Sequence, residues 1–214
     1  MTHYHFFIKR TFDLAACLFG LIVLSPVFVL VMAIVKLSSR GPVLYRQKRV
    51  GRHGKRFTCF KFRTMYTGAD RLGSITAATD SRITPAGRWL RKFKLDELPQ
   101  LWNVLAGNMS FVGPRPDVPG YADALSGDDR VILELRPGIT GPASLFFRNE
   151  EELLAAQADP KEYNDRVLWP AKVRINRVYY QEWGFWKDVG YIIITVAPAF
   201  DRWFGLMKHP QYRL

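Results

Sequence analysis

Residues 19–35 read FGLIVLSPVFVLVMAIV, apolar enough for a lipid environment yet carrying Ser25-Pro26 at the centre. The uncharged run extends over 22 residues, Leu14 to Val35. As a helix it covers roughly 30 Å, the thickness of a bilayer's hydrocarbon core. Pro26 removes a backbone donor and crowds the carbonyl of Ile22, which predicts a kink near the midpoint. Ser25 can offer its hydroxyl to a freed carbonyl one turn back. Length alone favours a plain spanning helix, but the flanks argue otherwise. Lys9 and Arg10 precede the run, and Lys36, Arg40, Arg46, Lys48 and Arg49 follow it, a pattern that suits both ends on the cytoplasmic side. Prolines are also tolerated in spanning helices, so these residues leave spanning and re-entry both open. A cleaved signal peptide fits poorly, because no small-x-small site is clear and Lys36 follows directly. The expected division is a membrane segment over 1–38 and one functional unit over 39–214.

The whole chain has 214 residues, 48% of them hydrophobic, which is enough for one sizeable core and argues against disorder. Its 31 Lys and Arg against 19 Asp and Glu give a formal charge of +12. Such an excess attracts polyanions, whether nucleic acid, anionic lipid headgroups or a phosphorylated substrate. Two cysteines, Cys17 in the apolar run and Cys59 in a basic stretch, indicate no disulfide framework. The four histidines lack metal-ligand spacing, and neither GxxxxGK[ST] nor GxGxxG occurs, so P-loop and dinucleotide-binding readings lose support.

Val43–Val50 and Arg56–Met65 flank the turn GRHGK and predict a β-hairpin. Alternation puts Phe60 and Phe62 on one face and Lys61 and Arg63 on the other. That is either an ordinary apolar-in, basic-out surface hairpin or a cationic wall for phosphates. DRLGSITAATDSRIT, 70–84, reads as a polar loop. Pro85 then suits the first turn of a helix, and Leu98, Leu101, Trp102 and Leu105 recur at helical spacing, predicting a second amphipathic helix ending near Gly107. Pro99 fits only that helix's first turn, which places Asp96 and Glu97 at its N-terminus. There the free N–H groups and the dipole favour an ionised Asp96. An N-cap aspartate is the plain alternative. Arg88, Arg91, Lys92 and Lys94 exceed what two carboxylates need, however, and such a surplus points to a phosphate site.

FVGPRPDVPG and LRPGITGPAS read as turn-rich segments. In the first, Pro114 and Pro116 stiffen the backbone around Arg115, either as a plain surface turn or to present its guanidinium to a phosphate. Residues 147–168 gather acidity into a predicted helix with a solvated face. Towards the C-terminus, EWGFWKDVGYIIITVAPAFDRWFGLM mixes apolar residues with Trp183, Trp186 and Trp203, while Lys187, Asp188, Asp201 and Arg202 interrupt any clean span. An interfacial helix is expected there, with a buried core helix as the alternative.

LDELPQLWNVLAGNMSFVGPRP, residues 95–116, resembles the bacterial sugar transferase family, the monotopic polyprenyl-phosphate phosphoglycosyl transferases. KRTFD at 9–13, LSP at 24–26, KFRTM at 61–65 and RPGITG at 136–141 extend the resemblance over nearly the whole chain in the family's order. The resemblance implies an α+β monotopic membrane protein whose helix enters the cytoplasmic leaflet, turns at Ser25 and Pro26 and returns. It places the protein on the cytoplasmic face of the bacterial inner membrane. It implies transfer of a sugar 1-phosphate from a UDP-sugar to polyprenyl phosphate, usually undecaprenyl phosphate, with release of UMP. Asp96 matches the family's nucleophile, which forms an aspartyl phosphosugar, and Glu97 completes the acidic dyad. Mg²⁺ is implied, held mainly by Asp96 and substrate oxygens. Arg91 and Arg115 match phosphate-binding positions, and Lys61 and Arg148 align with positions near the nucleotide or diphosphate.

For Arg148 a salt bridge to Glu150 or Glu151 is an equal alternative. Many members continue GITG with WAQVNGRN, whereas this chain reads GITGPASLFFRN, so Pro142 stands where an aromatic residue is usual and the sugar is the weakest inference. Without the spanning helices of larger relatives, the chain is expected to be the minimal catalytic form. A homodimer is left open. A nucleic-acid-binding protein would explain the charge but not the uncharged run or the Asp-Glu pair, and the resemblance implies no nucleic-acid partner. A noncatalytic membrane scaffold would explain the apolar segments but would tolerate Asp96→Asn.

Overall fold

A break in the N-terminal run shapes the fold. The computed structural model describes residues 3–69 and 80–208. The run is divided between α1 (His3–Val23) and α2 (Ser25–Ser38), bent by 63°. Pro26 has no N–H to give Ile22, and Ser25 Oγ donates to that carbonyl instead, at 2.8 Å. Neither helix alone is long and apolar enough to cross a membrane, whereas the bent pair passes that test together. Cys17, Val31 and Val35 are buried against the rest of the chain, while Phe19, Ile22, Val29 and Leu30 stay exposed around the bend.

β1 (Leu44–Val50) and β2 (Arg56–Phe62) form the expected antiparallel hairpin, paired from Leu44↔Phe62 to Val50↔Arg56. Its turn uses left-handed backbone at His53 and Gly54. The apolar-in, basic-out pattern does not hold. The face carrying Phe57, Cys59 and Lys61 is the inner one, where Phe57 and Cys59 pack with Cys17, Leu101 and Val104. Lys61 is drawn inward by a carboxylate. Arg63 is buried because its Nη2 donates to Ser39 O at 2.7 Å and Ser39 Oγ at 3.0 Å, just beyond α2. Phe62, on the opposite face, is covered by Val31, Val35 and Leu90.

The polar loop at 70–84 falls largely on residues 70–79, outside the described residues. Beyond it, α3 (Pro85–Lys92) starts with the side chain of Thr84 accepting from Gly87 N at 2.9 Å. Lys94 then adopts a left-handed conformation, and a 3-10 turn over Leu95–Glu97 leads to α4 (Gln100–Leu105). The two Pro-Gly segments contain more than turns. β3 (Ser110–Val112) and β4 (Gly138–Thr140) pair in parallel beside Gly113. A Cβ on Gly138 would lie 2.2 Å from Gly113 N, and one on Gly113 would lie 2.3 Å from Arg136 O. Only glycines allow this backbone contact.

The acidic stretch is three pieces rather than one helix. α5 (Pro142–Phe146) is followed by α6 (Glu150–Ala155), α7 (Pro160–Tyr163) and a π-type turn over Asn164–Leu168. Pro160 cannot continue a helix from upstream, and Asp159 accepts from Glu162 N to start a new one. α8 (Trp169–Gln181), α9 (Phe185–Val196) and α10 (Asp201–Phe204) complete the helices. α9 is a core helix along one side, where Asp188, Tyr191 and Ile194 are buried, while Trp186 and Val196, with Trp203 on α10, stay exposed. Small sheets within a mainly helical chain make the fold α+β.

Candidate active site

Two adjacent carboxylates, each 7% exposed, lie in the 3-10 turn before α4. Their flanking residues Leu95 and Leu98 pack onto the cluster of Phe62, Leu90 and Val31, which fixes the turn between α2, α3 and β2. Glu97 Oε1 accepts from Lys61 Nζ at 2.8 Å and from Arg115 Nη2 at 2.6 Å. Asp96 Oδ1 is buried with no hydrogen-bond partner among the described residues.

The two neighbours therefore titrate in opposite directions. Burial pushes the Asp96 carboxyl above the usual carboxylate range and Glu97 adds to the rise, while Lys61, Arg91 and Lys94 oppose it. Burial also acts on Glu97, but the charges of Arg115 and Lys61 and the hydrogen bonds both donate outweigh it and hold that carboxyl well below the usual range. The expectation that a helix N-terminus keeps Asp96 ionised is corrected. α4 begins four residues later, at Gln100, and no N–H reaches the Asp96 Oδ1 atom. Its charge depends on neighbouring cations and on what binds there.

The other anticipated residues fall at different distances from the dyad. Arg115 projects from between its two prolines, and its neighbour Pro114 O accepts from Gly138 N at 2.8 Å, so the parallel pair fixes this segment. Its side chain remains 42% exposed and available to a ligand. Arg91, in the last turn of α3, is ion-paired with Glu151 of α6. Arg148 forms neither anticipated salt bridge: Glu151 is taken by Arg91 and Glu150 by Lys172 at 2.6 Å. It is exposed and donates from Nε to Leu145 O at 3.3 Å.

Sequence reasoning missed Asn103. It is 1% exposed; its Nδ2 donates to Thr58 O at 2.7 Å and its Oδ1 accepts from Phe60 N at 3.0 Å. The amide thus mimics a strand partner along β2 and ties α4 to the strand that carries Lys61. The signal was present as an amide set inside the otherwise apolar run LWNVL of that helix. Among the described residues no group of three or more His, Cys, Asp or Glu forms a ready-made metal site. The unpartnered Asp96 Oδ1 fits a divalent cation as one protein ligand, with the remaining positions left to substrate oxygens.

Chemically, this is a carboxylate able to bond to an electrophile or a cation, beside a cationic pair locked in place by its neighbour. The profile of the family described as bacterial sugar transferase matches residues 4–202. An undecaprenyl-phosphate glucose phosphotransferase of Komagataeibacter xylinus is 39% identical over 88% of this chain, which spans 35% of that protein. A UDP-glucose:undecaprenyl-phosphate glucose-1-phosphate transferase of Escherichia coli is 35% identical over 90% of this chain and 40% of its own length. The uncharacterized sugar transferase EpsL of Bacillus subtilis is 36% identical over 88% of this chain and 85% of its own length. With the acidic dyad, its cationic partners and a profile match running from α1 into α10, the chain belongs to the bacterial sugar transferase family and is a transferase enzyme.

Proposed function

We propose that the chain moves a sugar 1-phosphate from a UDP-sugar to polyprenyl phosphate, most simply undecaprenyl phosphate, and releases UMP, as the first membrane step of bacterial glycoconjugate assembly. The observation that carries this reading is the contrast within the dyad, with Glu97 Oε1 engaged by two cations and Asp96 Oδ1 left without a partner among the described residues. In the first step an Asp96 oxygen bonds to the β-phosphorus while the bond to the bridging oxygen breaks, and UMP leaves with the electron pair. In the second, an oxygen of the lipid phosphate bonds to the same phosphorus and the Asp96 carboxylate leaves, restoring the enzyme. An aspartyl phosphosugar joins the two steps and divides one displacement between polyanions into two.

Like charges must meet in both steps. Arg115 and Lys61 are oriented by Glu97 towards the incoming diphosphate, so their charge is in place before reaction. Glu97 acts here as the holder of these cations. Mg²⁺, bound through Asp96 and substrate oxygens, supplies further neutralisation when present. The bent α1–α2 pair, with Ser25 and Pro26 at its turn, enters the cytoplasmic leaflet and returns, keeping residues 39–214 where a soluble donor and a lipid acceptor both reach the site. Arg10, Lys36 and Arg40 at the two ends and the apolar side chains exposed around the bend support that placement.

The test is intact-protein mass after wild type and Asp96→Asn are incubated with a panel of UDP-sugars and Mg²⁺, without lipid acceptor. A sugar-phosphate adduct on wild type alone is expected. UMP release by Asp96→Asn at the wild-type rate, once polyprenyl phosphate is added, would overturn it.

A further inference from the structure

Beyond the dyad, a third carboxylate lies beside Arg115. Asp117 lies two residues after Arg115, and both line a narrow cleft walled by Val50, Gly51, Pro114 and Pro137. The segment is pinned from two sides. Val50 N donates to Asp117 O at 2.9 Å, and Arg49 Nη1 donates to Pro116 O at 3.0 Å. The Asp117 side chain makes no hydrogen bond and no ion pair among the described residues, although Lys172, Arg49 and Arg115 act on it through space. The nearby carboxylates are otherwise engaged: Glu97 with Lys61 and Arg115, Glu150 with Lys172, and Glu151 with Arg91. Asp117 is thus a fixed, half-buried acceptor beside the guanidinium expected to take the diphosphate.

A carboxylate in that position repels phosphate and accepts well from hydroxyl groups. Resting on the transfer reading above, the geometry points to Asp117 as the residue that accepts hydrogen bonds from a hydroxyl pair of the UDP-sugar donor. The hydroxyls belong either to the ribose or to the transferred sugar, since both flank the diphosphate. Burial favours this use. It pushes the Asp117 carboxyl up to about 6, so the group gains from any donor that replaces its lost water.

The experiment compares wild type with Asp117→Asn, which keeps the shape and one acceptor but removes the charge. Donor KM and kcat are measured with each UDP-sugar turned over. Inhibition constants are measured for UMP, 2′-deoxy-UMP, 3′-deoxy-UMP and inorganic pyrophosphate. The expected result is a donor KM raised about tenfold or more with kcat changed by less than about threefold, and pyrophosphate inhibition unaltered or strengthened, as for one lost charge-assisted hydrogen bond and one lost negative charge. If the ribose is the source, wild type prefers UMP over the deoxy analogues and the variant loses that preference. If the sugar is the source, the nucleotide preference survives and discrimination between sugar epimers collapses. Equal KM values with both kinds of discrimination intact would overturn the inference, as would equal weakening of UMP and pyrophosphate, the mark of a merely structural charge. A wild type that releases no UMP from any donor would overturn the transfer reading as well.

Discussion

Among the described residues, two places bury carboxylates beside a lysine, and they end differently. Where α1 meets α8 and α9, Asp188 is 3% exposed and fully engaged. It is ion-paired with Lys9, and it accepts from Tyr179 OH at 2.6 Å and Trp183 Nε1 at 2.9 Å. One turn after Lys9, Asp13 accepts from Ser110 Oγ at 3.1 Å and Phe111 N at 3.0 Å. At the dyad, Glu97 is satisfied in the same way but Asp96 Oδ1 is not. Buried charge alone therefore does not mark a reactive site. A carboxylate bonded to several elements at once holds them together, whereas a buried carboxylate oxygen without a partner keeps bonding capacity free for a ligand.

The sharpest way to break this contrast is to neutralise one member of each cluster. Asp96→Asn should lower kcat by roughly 10⁴-fold or more, as when a covalent nucleophile is removed, while the unfolding midpoint stays the same or rises. Asp188→Asn should do the reverse. It leaves Lys9 buried without its counter-ion, so a loss of about 3–5 kcal/mol of stability is expected, with kcat per folded molecule retained. Thermal melts of both variants in detergent, scored beside UMP release, separate the two outcomes. A stable, active Asp188→Asn would show that the Lys9 cluster is not the clasp described here.

What could be read from the chain follows from how local each signal is. The bend at Ser25-Pro26 and the hairpin around GRHGK depend on neighbours within one or two turns, and both lie where the residues place them. The Lys9–Asp188 pair could not be read, because its partners are 179 residues apart and each looks like a flanking charge in its own segment. The β3–β4 pair escaped for another reason. Each strand has three residues, and the adjoining Gly and Pro residues that permit their close contact carry the composition of turns. In the site, Lys61 and Arg115 both reach Glu97, beside Asp96. The sequence signs of Asp96's ionisation were misleading, because they assumed a helix N-terminus where the chain makes a 3-10 turn.

Asn103 offers a middle-sized test, because it belongs to neither cluster but sets the distance between two members of one. Asn103→Asp retains an acceptor for Phe60 N and loses the donor to Thr58 O. Leaving that buried carbonyl unpaired should cost about 1–3 kcal/mol of stability, and burying the new carboxyl adds to the loss at neutral pH. If the amide positions β2 against α4, kcat should also fall more than stability explains, since the Lys61–Glu97 contact is set by that spacing. A stability loss with unchanged kcat would limit Asn103 to packing.

The smallest effect concerns Asp117, where the contrast between satisfied and unsatisfied carboxylates becomes a matter of pH. Its folded carboxyl, pushed up by burial to about 6, sits above the ordinary aspartate value of 3.8. The folded state therefore holds its proton more tightly than the unfolded one, so ionised Asp117 destabilises the protein above pH 6. That penalty declines as pH falls through 6 and is gone below the unfolded value. Asp117→Asn should then be more stable than wild type by about 1–3 kcal/mol at pH 8, with the advantage disappearing near pH 4. Lys172, Arg49, Arg115 and Glu150 all face this group, and the cations lose a compensating charge in the variant, which draws the gain towards the lower figure. Paired thermal melts at the two pH values measure it. A variant less stable than wild type at pH 8 would mean that the surrounding cations need Asp117 for folding, and would place it with Asp188 rather than with Asp96.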